Sequence, residues 1–187
     1  MAGAGWVHFW RQDRGGAALS ATLVRAAVQG EPIEKVLGYA AQGFLKLGSA
    51  ERAGVWVESL TEPALYFGTV FEACGGPAPA EWNRLDGSVP FYRVILASEE
   101  LIVEELDAGS GVSVMGPAAG MRRAAWIPLR VQQNTLGLVL VAYARPPRAV
   151  PVEALRALAD ELALALDRKS TRLNSSHIQK SRMPSSA

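Results

Sequence analysis

One stretch of the chain, Ala124 to Ala144, restricts the fold more than any other. Its sequence is AAWIPLRVQQNTLGLVLVAYA. Two apolar runs flank the polar residues Gln132 to Thr135, and this pattern predicts a β-hairpin with a four-residue connection. In the second run, Leu136 to Ala144, apolar residues occupy both alternating faces. We therefore predict a central strand that is covered on both sides.

Two residues of this hairpin make more specific predictions. Gly137 lies inside the second apolar run, and a glycine within a strand often marks the close approach of another backbone or of a ligand. Pro128 lies inside the first run and has no backbone N–H to donate. We therefore expect a bulge or a gap in strand pairing at Pro128.

Length and composition are those of one soluble domain with a substantial core. The chain has 187 residues, of which 49% are hydrophobic and 20% charged. No apolar run approaches the roughly 20 residues that span a bilayer, and the amino terminus lacks the pattern of a signal peptide. The one cysteine, Cys74, allows no internal disulfide. These features predict a cytoplasmic protein without a membrane segment.

The last 21 residues, Asp167 to Ala187, differ in character from the rest. They read DRKSTRLNSSHIQKSRMPSSA and show neither strand nor helix periodicity. The blocks DRKSTRLNSSH and SRMPSSA resemble the translation of a common sequencing-library adapter, in one frame and in the right order. Ile178 to Lys180 falls where a variable index would lie. We therefore expect an artefactual tail at 167–187 and a native chain that continues beyond Leu166; an ordinary disordered tail is the alternative.

Removing this tail changes the sign of the net charge. The whole chain carries +1, and without the five basic residues and one acidic residue of the tail it carries −3. A mildly acidic domain offers no electrostatic argument for binding nucleic acid. We expect no nucleic-acid partner.

Hydrophobic periodicity predicts the remaining elements. Residues 81–89 are expected to be irregular and residues 107–120 to form a glycine-rich crossing loop. The other segments are predicted as the helices Ala17–Gln29, Pro32–Leu47, Pro90–Ala97 and Val152–Leu166, and the strands Arg52–Leu60, Ala64–Ala73 and Leu101–Leu106.

This order of elements, together with the hairpin, resembles a GAF domain, the small-molecule sensor fold related to PAS. The resemblance covers residues 17–166, after an amino-terminal extension at 1–16. Its most specific part is an apolar residue and Pro-Leu, then a polar turn, then an apolar-Gly strand. The positions that match are Ile127, Pro128, Leu129, Leu136, Gly137 and Leu138.

The resemblance implies an α+β fold with a central antiparallel sheet in the order 2-1-5-4-3. Strand 5, Leu136 to Ala144, would be central. The N- and C-terminal helices would lie on one face, and a ligand pocket with a short helix and loops would lie on the other.

The residues available argue against the cofactors and reactions of several GAF relatives. The only histidine before the tail, His8, precedes the domain, so a haem or other metal site is not expected. Bilin-binding relatives attach the chromophore through a cysteine often followed by histidine, whereas Cys74 precedes Gly75. One cysteine also argues against a methionine sulfoxide reductase. Asn83 to Gly87 only loosely resembles a cyclic-nucleotide set. We expect no cofactor and no enzymatic activity in this chain.

What remains is an apolar pocket for an unknown small molecule. Aromatic walls with few polar groups are common in such sites. The alternative is that these side chains fill the core. The predicted ligand-binding residues are Trp56, Phe71, Trp82, Phe91, Tyr92, Met115 and Trp126.

The last predicted helix carries a narrow leucine seam formed by Leu155, Leu158, Leu162 and Leu166. The spacing fits pairing with a symmetry mate, which predicts a homodimer, or packing against the domain's own sheet. The combined hypothesis is a regulatory sensor module of a truncated bacterial-type signalling protein, upstream of a histidine kinase or a similar output domain. The alternative is a structural dimerisation module with a self-filled pocket and no ligand.

Overall fold

One antiparallel sheet of six strands organises the part of the chain that the computed structural model describes. That part comprises residues 21–22, 25–26, 29–75, 78–106 and 116–181, with side chains as far as Arg168. The helices are α1 (Ile33–Gly48), α2 (Pro90–Ala97) and α3 (Val152–Ser181), and a 3-10 helix covers Ala80–Asn83. The strands are β1 (Arg52–Glu58), β2 (Leu65–Glu72), β3 (Arg84–Asp86), β4 (Ile102–Glu105), β5 (Arg123–Val131) and β6 (Asn134–Tyr143).

The strand order confirms the predicted arrangement and adds one strand to it. The order is β3-β2-β1-β6-β5-β4. Its last five members are the predicted strands in the order 2-1-5-4-3. The added strand, β3, pairs with Leu65–Phe67 at the edge of β2. It has only three residues and lies in a stretch predicted to be irregular, where the sequence carries no alternating pattern.

The central strand β6 lies between β1 and β5, as its two apolar faces predict. All its residues from Gly137 to Tyr143 are buried. A Cβ atom at Gly137 would overlap the carbonyl oxygen of Trp56 on β1. The predicted close approach of a second backbone is therefore confirmed.

The hairpin between β5 and β6 differs from the prediction in two details. Its connection has two residues, Gln132 and Gln133, rather than four, and Gln132 has a left-handed φ of 55°. The expected irregularity does not fall on Pro128, which pairs with Leu138. It falls between Leu129 and Arg130, where β6 contains one extra residue.

The helices α1 and α3 lie together on one face of the sheet and form its larger apolar core. The helix α1 packs against β1 and β2, and α3 packs mainly against β5. All four leucines of the predicted seam, Leu155, Leu158, Leu162 and Leu166, are buried in this core. The seam therefore packs on the chain's own sheet, the second of the two expectations, and homodimerisation stays a prediction.

The predicted domain differs from the structure at its carboxy-terminal end, and its first helix is described only in part. Of the predicted helix Ala17–Gln29, Ala21, Thr22, Arg25 and Ala26 are helical, whereas residues 1–16 lie outside the described part. The helix α3 continues past Leu166 to Ser181, through most of the suspected tail. The origin of that tail stays a prediction, because a helical backbone says nothing about its codons. Among the described helices, none combines the length and hydropathy that crossing a membrane requires.

Candidate functional site

The second face of the sheet carries an apolar cluster built around two tryptophans. Trp56 on β1 and Trp126 on β5 are both fully buried. Leu138 and Leu140 of the central strand lie between these two strands and belong to the same cluster. The middle of this face is therefore filled by the chain's own side chains.

Small residues around Trp56 make room for its ring and its backbone. A Cβ atom at Gly54, two residues earlier on the same strand, would overlap the Trp56 ring. On the neighbouring strand, a Cβ atom at Gly68 would overlap the carbonyl oxygen of Val55. The indole Nε1–H of Trp56 donates to the carbonyl oxygen of Trp82 at 2.7 Å. Trp56 is thus enclosed by the glycines of β1 and β2 and hydrogen-bonded to the 3-10 helix.

An aromatic trio covers the β5 half of this face. Phe91 and Tyr92, at the start of α2, pack edge-on against Trp126 with ring centroids 5.2 and 6.0 Å away. Pro90 is the first helical residue, where a proline is tolerated, and it places these rings over the sheet. The Nε1–H of Trp126 is buried and has no hydrogen-bond partner within the described part of the chain.

A buried arginine, Arg52, lies at the start of β1 and contacts three other segments on this face. Arg52 is 7% exposed and pairs across the strands with Glu72, its Nε lying 2.8 Å from Oε1. Its Nη1 donates to the carbonyl oxygens of Pro117 and Ala119, each at 2.9 Å. Its guanidinium carbon lies 4.2 Å from the centre of the Trp82 ring, a cation–π contact.

A cavity of about 360 Å³ opens between the 3-10 helix, β3, the start of α2 and the turn at Gly116. Trp82 and Tyr92 supply aromatic walls, and the Tyr92 hydroxyl lies beside the Gly116 backbone. Charged side chains of both signs surround them. The lining residues are Glu81, Trp82, Arg84, Leu85, Asp86, Tyr92, Gly116 and Pro117.

Two of the titratable groups that line the cavity, Asp86 and Tyr92, have shifted pKa values. Hydrogen bonds from Ser88 lower the pKa of Asp86, so this carboxylate stays ionised. Burial raises the pKa of Tyr92, so its hydroxyl stays protonated. Among the described residues, no group of three histidine, cysteine or acidic side chains could hold a metal ion. The arrangement offers stacking surfaces and fixed charges, which are means of binding.

The seven predicted site residues are distributed unequally around this cavity. Trp82 and Tyr92 line it. Trp56, Phe91 and Trp126 lie behind these two in the packed cluster. Phe71 packs against the core of the opposite face, so the structure does not bring it to the cavity. Met115 lies outside the described residues.

The sequence prediction missed most of the polar lining. Arg84, Leu85 and Asp86 belong to the segment Asn83 to Gly87, which only loosely resembles a cyclic-nucleotide set. They line the cavity because β3 pairs with β2. Arg52 was also missed. Its signal was available, since Arg52 begins a strand in which the next five residues, Ala53 to Val57, are apolar.

Comparison with solved structures identifies the fold. The GAF domain of an Acinetobacter phosphoenolpyruvate-protein phosphotransferase matches with a TM-score of 0.65 at 10% identity, covering 83% of this chain and 94% of that chain. A phycoerythrobilin-bound GAF domain from a cyanobacterial phytochrome matches with a TM-score of 0.62 at 13% identity, covering 86% and 98%. A GAF domain/HD domain protein from Geobacter sulfurreducens matches with a TM-score of 0.59 at 14% identity, covering 78% and 98%.

Sequence comparison adds nothing to this result, because no protein-family model and no curated protein matches the chain. The structural matches extend over most of the chain and nearly all of each matched domain. The chain has the fold of a GAF domain.

Proposed function

We propose that this chain is a regulatory sensor module that binds a small molecule in the cavity beside Trp82 and Tyr92. The cavity itself carries the proposal. Its volume of about 360 Å³ falls in the lower part of the range typical of small-ligand sites. One of the matched GAF domains is bound to phycoerythrobilin, which supports a ligand-binding use of the fold.

The lining restricts the ligand to a compact aromatic or heteroaromatic compound that carries polar substituents. Trp82 and Tyr92 offer stacking surfaces, and Arg84 and Asp86 offer charges of opposite sign. We do not extend the bilin of the cyanobacterial domain to this chain. Trp56 and Trp126 occupy the middle of the face, and the exposed Cys74 is not among the lining residues.

The proposed action is a population shift in a bacterial-type, cytoplasmic signalling protein. Ligand binding favours one arrangement of the cavity wall, and α3 transmits the change to a histidine kinase or a similar output domain. Sequencing the gene from its source DNA tests the last step. A reading frame that departs from the adapter-like residues after Leu166 and encodes an output domain supports it. The same codons in genomic DNA would contradict the proposed adapter origin.

Thermal unfolding of the full chain with a library of compact aromatic compounds tests binding. A compound present at about 100 times its Kd stabilises the folded state by about 2.7 kcal/mol. The matched variants are Tyr92→Ala in the cavity and Tyr39→Ala, a 41% exposed tyrosine on α1. We expect a compound that raises the melting temperature of the wild type and of Tyr39→Ala, but not that of Tyr92→Ala.

A structural module without a ligand is the second candidate function, and the buried Trp56 and Trp126 favour it. These two side chains already fill the centre of the face on which ligands are expected. If no compound of the library shifts the melting temperature, this candidate replaces the sensor. Homodimerisation belongs to both candidates, and the solution mass from light scattering tests it.

A further inference from the structure

We infer that Arg52 is the positioning residue that holds two walls of the cavity together and links them to the segment before α3. The claim that Arg52 shapes a ligand-binding cavity rests on the proposed function. The claim that Arg52 joins these segments rests only on contacts within the chain. Arg52 is not among the residues that line the cavity, so it acts through the residues it holds.

The first step of the argument is the number of separate segments that meet at one guanidinium group. Arg52 contacts Glu72 on β2, the ring of Trp82 in the 3-10 helix, and the carbonyl oxygens of Pro117 and Ala119. Trp82 and Pro117 belong to different walls of the cavity. A planar group with five donors can hold such partners in fixed directions, which a lysine ammonium cannot do.

The second step concerns how else these walls are held. Within the turn at 116–120, the described backbone hydrogen bonds are local, from Ala119 to Gly116 and from Met121 to Ala118. The bonds from Arg52 are the described side-chain hydrogen bonds that join this turn to the sheet. A ligand that displaces Trp82 or the turn must therefore disturb the Arg52 contacts.

The third step connects Arg52 to the exit of the domain. The preceding residue, Glu51, is fixed by backbone hydrogen bonds to Ala142 and Ala73. Its carboxylate accepts the backbone N–H of Ala144 at 3.2 Å and lies 3.8 Å from Nε of Arg145. These residues begin the segment that leads to α3. A displacement of Arg52 moves the start of β1, and Glu51 carries that displacement to Ala144.

Hydrogen exchange of the full chain tests the inference with Arg52→Met, which keeps much of the side-chain volume and removes the donors. The matched control is Arg130→Met. Arg130 is half-buried, whereas Arg52 is buried, and it likewise donates to backbone carbonyl oxygens, those of Ser98 and Gln133, but at the opposite end of the sheet. Both variants remove an arginine that donates to backbone carbonyl oxygens, so the location of the faster exchange, rather than the overall loss of stability, separates their roles.

In Arg52→Met we expect the amides of residues 118–121 and of Ala144 to exchange at least about tenfold faster than in Arg130→Met. In Arg130→Met we expect the change at Ser98 and the hairpin tip instead. Unchanged protection at 118–121 in Arg52→Met would overturn the positioning role. Faster exchange at 118–121 without any change at Ala144 would overturn the link to the exit segment.

If Arg52→Met does not fold, Arg52→Lys replaces it, because lysine keeps the charge and loses the planar fork. The same amides and the same outcomes apply. These measurements need no ligand, so they are independent of the library experiment. If no compound stabilises the chain but exchange is accelerated in Arg52→Met, the sensor function is rejected and the positioning role is supported. If a compound stabilises the chain but exchange is unchanged, the sensor function is supported and the positioning role is rejected.

Discussion

The two faces of the sheet are built by different means. On the helix face, α1 and α3 cover β1, β2 and β5 with apolar side chains that follow regular helical and strand periods. On the cavity face, two tryptophans fill the centre, and the short helix α2, the 3-10 helix and the turn at 116–120 surround them. Several of those pieces are joined through polar contacts of Arg52 and Arg130.

The difference indicates where the molecule can change its conformation. Continuous apolar packing resists any shift, because a packed helix loses many contacts at once. Short segments held by a few directional hydrogen bonds can be displaced at a smaller free-energy cost. The cavity face is therefore the face on which we expect a ligand to act, and the helix face is the fixed support.

The largest expected effect comes from a substitution that disrupts the apolar packing of the helix face. Leu158→Lys places an ammonium group at a site that is 4% exposed, without a partner, and should lower the free energy of unfolding by about 4 kcal/mol or more. Leu164→Lys, on the same helix at a site 48% exposed, should cost less than about 0.5 kcal/mol. Urea denaturation measures both. A folded Leu158→Lys variant with a reduced mass in light scattering would show instead that this leucine joins two chains.

The next effect concerns the centre of the sheet, where the two faces meet. Gly137→Ala forces a methyl group against the Trp56 carbonyl oxygen and should cost about 1–3 kcal/mol. Gly38→Ala is the control within α1. Its Cβ would lie 3.9 Å from Cε2 of Phe71, an ordinary contact, and it should stabilise the chain by about 0.5–1 kcal/mol. Equal changes in the free energy of unfolding for the two variants would contradict the close approach of the β1 and β6 backbones at Gly137.

The smallest expected effect concerns a polar group, the hydroxyl of Tyr143, that is buried in the apolar core of the helix face. Tyr143 is buried, its hydroxyl has no hydrogen-bond partner within the described part, and burial together with the charge of Glu51 raises its pKa to about 12. Since an unfolded tyrosine ionises near pH 10, the neutral hydroxyl contributes stability below pH 10 that is lost as the pH rises towards 12. We expect this loss to be about 1–2 kcal/mol.

Tyr143→Phe isolates this contribution from that of the other tyrosines. The variant should unfold at nearly the wild-type urea concentration at pH 7, because it removes a buried hydroxyl that has no hydrogen-bond partner among the described residues. Between pH 10 and 12 it should lose less stability than the wild type. Parallel pH profiles for the two proteins would show that Tyr143 ionises equally in both states.

The sequence predicts the regular parts of this molecule better than the site. The strand Leu136–Ala144 is identifiable because apolar residues on both faces require burial on both sides, and Pro90–Ala97 because its proline is compatible with the first turn of a helix. The leucine seam of α3 is equally visible. Its partner is not, since a leucine stripe is the same whether it faces a sheet or a second chain.

The cavity depends on contacts between segments distant in sequence, and residue types alone do not define it. Trp56 and Trp82 are both aromatic, but one is enclosed in the core and the other lines the cavity. Phe71 lies on the opposite face because the register of β2 places it opposite Ala53 rather than Gly54. One step of register exchanges the two faces, and no local pattern in β2 fixes that step.

The enclosure of Trp56 has a consequence for how this domain can evolve. Its indole occupies the centre of the cavity face and is backed by glycines on its own and neighbouring strands. A tryptophan codon is one nucleotide away from codons for leucine, cysteine and serine. Any of these smaller residues would leave part of that centre empty, next to Trp82 in the cavity wall. The volume open on this face can therefore change in a single mutational step, without any change in the course of the backbone.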